Sequence, residues 1–162
     1  ALLNFKRSLT ISNIFNVSYQ ISDRYKCVGT AYFNLANYDS AAYYFEKADN
    51  IYLGDPINRL TTLSWLAITY MKKGQKKEVR DHVNIFDEFI KKNDPVSDDI
   101  ISLNWNMYQV YGSLGDPKSG KNYLENSYLE IRSRSKNIKN KEDRNKYLSV
   151  KLHQDIIDAW NM

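Results

Sequence analysis

Tyr25-Lys26-Cys27-Val28-Gly29-Thr30-Ala31-Tyr32, followed by Tyr38, Ala41, Phe45 and Ala48, decides how this chain folds. Small and large residues alternate at three- and four-residue offsets in two segments parted by a short break at Asn37. Such offsets return to one face of an α-helix. A small residue on one stripe, set against an aromatic on the other, lets two antiparallel helices interlock at close range. The offsets recur at Ala67, Tyr70, Gly74, Val79 and Val83, and again at Tyr108, Tyr111, Gly115, Gly120 and Leu124. Ala1, Ala41, Val79 and Gly120 occupy equivalent places, at spacings of 40, 38 and 41. Self-similarity at such a period marks a helical solenoid, in which each unit buries its apolar face only against its neighbours.

Turn residues punctuate the chain at Asn37, Gly54-Asp55-Pro56, Gly74, Asn93-Asp94-Pro95, Gly115-Asp116-Pro117 and 137–140. An Asp before Pro56 and before Pro95 predicts an N-cap with proline in the first helical position. Gly74 and Gly115 suit the left-handed residue that closes a helix. The predicted helices are 1–14, 18–36, 39–53, 57–73, 75–92, 97–114 and 117–136, with one or two more in 141–161. No stretch alternates with period two for long enough to make a strand, so the expected class is all-α.

Tyr25, Val28-Gly29, Tyr32, Tyr38, Ala41, Phe45 and Ala48 resemble the tetratricopeptide repeat family. The second copy agrees through Leu66-Ala67, Tyr70 and Gly74, and the third through Tyr111, Gly115, Gly120 and Leu124. The family's usual unit is about 34 residues. The longer period here is similar to that of its long-helix variety. The tail, with Tyr147-Leu148, His153, Ile156-Ile157 and Ala159-Trp160, resembles the end of repeat regions in large multidomain bacterial signalling regulators. The resemblance implies a right-handed α-α superhelix in a single domain spanning 1–162. Its parts would be a half repeat at 1–15, repeats at 18–54, 56–93 and 96–136, and a capping helix in 138–162. Tyr108 stands where a small residue is usual and is expected to spread its helix pair.

The resemblance also implies a concave groove lined by the first helix of each pair. Its positions fall on Lys26, Thr30, Phe33, Asn34, Ser64, Ile68, Met71, Lys72, Trp105 and Gln109, flanked by Thr61 and Ser113. Phe33, Met71 and Trp105 would be the anchors, because aromatics and methionine carry much of an interface's energy. The expected function is a scaffold that binds a peptide or partner domain, as the C-terminal part of a larger signalling protein. Thr30 occupies a position where a chaperone-tail receptor needs Asn, which argues against that specialisation.

Composition narrows the other classes. Between Lys118 and Lys151 ten basic residues face four acidic ones, a net +6 within a chain of net +4. A nucleic-acid- or ligand-responsive domain using this segment, 118–151, is the alternative reading, although a solvated helix face accounts for it and nucleic acid is not the expected partner. No run approaches the roughly 20 apolar residues of a membrane span. The N-terminus does not resemble a signal peptide, so a cytoplasmic location is expected. The single cysteine, Cys27, forms no internal disulfide framework and sits where side chains pack inward. His82 and His153 lie on different helices, and no phosphate-binding glycine loop exists. No enzyme, cofactor or metal is therefore expected. Asn16-Val17-Ser18 is treated as a chance sequon.

Both ends carry apolar faces. Leu148, Leu152, Ile156 and Trp160 form one stripe suited to covering the last repeat. Ala1-Leu2, Phe5 and Leu9 belong to a second helix without its first, so this face is expected to be exposed or to pair with another copy. The chain also lacks a starting Met and opens within the repeat, as a fragment of a longer protein would.

Overall fold

The computed structural model describes residues 2–15, 18–51, 56–92 and 100–162. All regular structure among them is helical: α1 (Leu2–Phe15), α2 (Ser18–Asn34), α3 (Tyr38–Ile51), α4 (Pro56–Lys72), α5 (Lys76–Lys92), α6 (Ile100–Ser113), α7 (Pro117–Asn137), α8 (Lys141–Leu148) and α9 (Lys151–Asn161). The chain divides into two compact units, Ala1–Ser97 and Asp98–Met162. The first holds α1 to α5 and the second α6 to α9. The all-α expectation holds, and the tail resolves into two helices. The turn signals at Gly54-Asp55 and Asn93-Asp94-Pro95 lie outside the described residues.

Three helix pairs, α2–α3, α4–α5 and α6–α7, are closed by the same backbone turn. Asn37 N–H donates to the Tyr32 carbonyl at 3.0 Å and Ala36 N–H to Phe33 at 2.9 Å. Gln75 donates to Tyr70 and Gly74 to Met71, and Asp116 to Tyr111 and Gly115 to Gly112, at 3.0–3.1 Å. The middle residues have φ of 56°, 73° and 81°. This is the Schellman ending, in which a left-handed residue folds two N–H groups back onto unpaired helix carbonyls. Gly74 and Gly115 fill that place as expected. Ala36 fills it too, although a Cβ there costs about 1–2 kcal/mol.

The interlock of the opening stretch is present. A Cβ built on Gly29 would lie 2.7 Å from the Phe45 ring, and Phe45 is fully buried. Burying such a ring is worth about 1.5–3 kcal/mol. One ring contact recurs at the same offset in all three pairs: Tyr32 stacks on Tyr44 and Tyr111 on Tyr123, each at 5.5 Å, and Tyr70 meets His82 at 5.0 Å with the rings tilted. A hydrogen bond recurs with its direction reversed. The Ser22 hydroxyl donates to the Ala48 carbonyl at 3.2 Å, and at the equivalent sites Ser127 donates to Ile101 at 3.2 Å. Leu60 and Phe86 hold those sites in the middle pair, both buried. Val79 and Val83 are buried as well.

In the first unit α1 packs along α2. Phe5 lies half-buried against Ile21 and Val28, beside Tyr25, Tyr32 and Tyr44. The expectation that Phe5 is exposed is therefore corrected, because its own neighbour covers it. Leu3 remains exposed, and the side chains of Ala1, Leu2 and Leu9 lie outside the described residues.

In the second unit the spreading expected at Tyr108 does not occur. A Cβ on Gly120 would sit 3.2 Å from the Tyr108 carbonyl oxygen, so α6 and α7 run close. Glycine at 120 frees the space, and the Tyr108 ring turns beside Trp105 at 5.4 Å. The tail stripe covers α7: Ile156 is fully buried with Ile101, Leu124 and Ile131, and Trp160 stacks on Tyr128 at 5.1 Å. Arg144 donates twice to the Ile138 carbonyl, at 3.0 and 2.7 Å, and locks the bend between α7 and α8.

Candidate functional site

In the first unit, α2 and α4 touch, and most of the expected groove residues lie on these two helices. Lys26, Thr30, Phe33 and Asn34 follow one another at helical offsets on α2, and Met71 and Lys72 end α4. Phe33 is half-buried, edge-on to Trp65 at 5.2 Å and to Tyr38 at 5.4 Å. Trp65 in turn stacks on Phe45 at 5.6 Å. A line of rings therefore leads from the core to the surface, and Phe33 is held by packing rather than left to swing. Met71 is half-buried, while Asn34 and Lys72 are exposed.

The polar members are mostly turned to their own helices. The Thr30 hydroxyl donates to the Lys26 carbonyl at 3.0 Å. Lys26 Nζ lies 3.6 Å from the Asp23 carboxylate. Ser64 and Ile68 are corrected: both are buried, at 0 % and 1 % exposure, and the Ser64 hydroxyl is spent on the Thr61 carbonyl at 2.8 Å. Thr61 is buried too. Their offsets put them on the expected stripe of α4, but spacing along one helix does not say how closely other helices cover that stripe.

Trp105 and Gln109 belong to the second unit. Trp105 packs half-buried against the cluster around Ile101, and Gln109 Nε2 donates back to the Trp105 carbonyl at 3.4 Å. Ser113 is exposed, with its hydroxyl on Val110 at 2.7 Å. Asn104 and Asn106 are buried, and among the described residues no acceptor meets either amide nitrogen.

Sequence offsets missed the turn at the end of α2. Leu35, Ala36, Asn37, Tyr38, Asp39 and Lys73 line a shallow depression of about 600 Å³. Leu35 is 65 % exposed, and Lys73 Nζ lies 2.8 Å from Asp39 and over the Tyr70 ring. A leucine just beyond a helix end, where polar turn residues are usual, was the available signal. Burial, with the hydrogen bond to Glu46, raises the Tyr70 hydroxyl well above the usual tyrosine range.

Cys27 is half-buried rather than packed inward. His82 Nδ1 sits 2.8 Å from the Glu78 carbonyl, and His153 Nδ1 2.7 Å from that of Tyr147. Among the described residues no three His, Cys, Asp or Glu side chains gather to hold a metal ion. No described helix is long and apolar enough to cross a membrane. The α2–α4 region offers apolar ring surface, an exposed amide and an exposed ammonium, the groups that pack against and hydrogen-bond a polypeptide. Among known proteins, no family model and no curated sequence matches this chain.

Proposed function

We propose that this chain is a protein-interaction scaffold of the tetratricopeptide type that holds a peptide or partner domain against α2 and α4, the first helices of the two pairs in its first unit. One observation carries the reading. The three pairs keep their internal packing but differ where a ligand would lie. Tyr32, Tyr70 and Tyr111 repeat in ring contact and turn, whereas the equivalent exposed positions Asn34, Lys72 and Ser113 carry unlike side chains. Equal frames with unequal faces suit recognition of an irregular partner, because packing constrains the frame and not the face. Phe33 and Met71 supply apolar contact, and Asn34 and Lys72 supply polar groups at the rim.

The test is selection from a random peptide display library, followed by amide chemical-shift mapping of the peptides recovered. Shifts should concentrate on residues 26–39 and 71–73. Asn34→Arg with Lys72→Glu changes only exposed side chains and is expected to weaken binding by about tenfold, or about 1.4 kcal/mol. Shifts mapping elsewhere, or unchanged affinity in the double variant, would remove the groove assignment.

A further inference from the structure

Helix α7 carries a second surface that the scaffold reading does not use. Its inward side is Gly120, Leu124, Ser127, Ile131 and Ser135, all buried. Its outward side is Lys118, Lys121, Glu125, Leu129, Arg132 and Lys136, all exposed and three or four residues apart. Of the ten basic residues between Lys118 and Lys151, four are spent within the unit. Arg134 pairs with Glu130 at 2.6 Å, Lys146 with Glu142 at 2.7 Å and Lys151 with Asp155, while Arg144 holds the Ile138 carbonyl. The other six, Lys139 and Lys141 included, are exposed and make no ion pair among the described residues. Asp116, which caps α7 through Ser119, is the acidic group beside Lys118.

We infer that the outward stripe of α7 is a docking surface for an acidic amphipathic protein segment, with carboxylates toward both ends and an apolar residue near its middle. The order of residues along the stripe selects this partner. Basic groups stand at both ends, and Leu129 is 55 % exposed between them. From Lys121 to Arg132 is about 17 Å of helix. A nucleic-acid strand would set about five phosphates over that length. Glu125 would repel them and Leu129 would offer them nothing. A polypeptide can place a leucine on Leu129, a donor on Glu125, and carboxylates on the basic ends. A single exposed leucine is too small an apolar area to enter a membrane.

The experiment uses the full chain and a fluorescein-labelled helical peptide of about 20 residues, with glutamates in its end turns and leucine at its centre. Anisotropy at about 50 mM salt should show binding at least about fivefold tighter than to a scrambled peptide of equal charge, and weaker at about 200 mM. Lys121→Glu with Arg132→Glu and Lys136→Glu should weaken binding by more than about tenfold, and Leu129→Ala by about threefold. Lys121→Arg with Lys136→Arg should retain it. If the reversed-charge variant loses its helical circular dichroism, the Lys→Gln and Arg→Gln triple variant gives the same reading. Equal binding of the scrambled peptide overturns the proposal. So does tighter binding of a single-stranded oligonucleotide, recruitment to anionic vesicles, or self-association that the charge reversal abolishes.

Discussion

Gly29 faces the Phe45 ring with no room for a methyl group. Phe45 is fully buried and pinned against Trp65, so it cannot yield. Gly29→Ala is expected to destabilise the chain by about 1–3 kcal/mol through overpacking. Gly112 gives the opposite case, because nothing lies within 4 Å of its added Cβ and its φ is not left-handed. Gly112→Ala should stabilise by about 0.5–1 kcal/mol, the helix-interior penalty of glycine. Urea midpoints of the two variants check the pair, and a neutral Gly29→Ala would show that α2 and α3 can part. The Gly29–Phe45 contact was legible because both residues sit on regular offsets. The Tyr108–Gly120 arrangement was not, since a large residue at one site was offset by a small one on the facing helix.

At the scale of the helix, the three turns show what one residue adds. Asn37 and Asp116 end one helix and cap the next, their side-chain oxygens accepting the Ser40 and Ser119 N–H groups at 3.1 Å. Gln75 holds the equivalent place before α5, but its side-chain oxygen is buried with no hydrogen-bond partner among the described residues. Glutamine is one methylene longer than asparagine, and N-cap geometry wants the shorter side chain. Gln75→Asp should therefore supply the missing cap and favour the positive end of α5. A stabilisation of about 1 kcal/mol is expected, measured by chemical denaturation. No gain would mean that the Gln75 oxygen already has an equivalent partner. Helix ends were legible to within a few residues because glycine, proline and capping residues act locally. The break between α8 and α9 was left open by the sequence, where Ser149-Val150 interrupts an otherwise helical stripe without a glycine or proline.

Over the whole molecule, two tyrosines tie stability to alkaline pH. Burial first, and for Tyr70 also the hydrogen bond to Glu46, raises the hydroxyls of Tyr70 and Tyr147 above their ordinary value. The folded chain then holds these protons more tightly than the unfolded chain, whose tyrosines titrate near about 10. The resulting stabilisation is complete below about pH 10 and is lost as pH rises beyond it. Unfolding midpoints taken upward from about pH 8 should fall past that point. Tyr70→Phe should flatten the fall while lowering stability by about 1 kcal/mol at neutral pH, through loss of the Glu46 hydrogen bond. An unchanged alkaline slope in Tyr70→Phe would count against this assignment.

The amino-acid order by itself determined the helical class, the three pairs, their turns and the stripe that closes the tail. Each of these rests on interactions within a few residues, or on a small residue recurring opposite a large one. Only the tertiary structure decided which stripes stay open. Ser64 and Ile68 share the offsets of Lys26 and Thr30 yet are buried, and Phe5 is covered by α2. Accessibility depends on the distance between helices, which is set by all the side chains along the contact together. A periodic pattern records direction around a helix axis, and it carries no measure of how near the next helix lies.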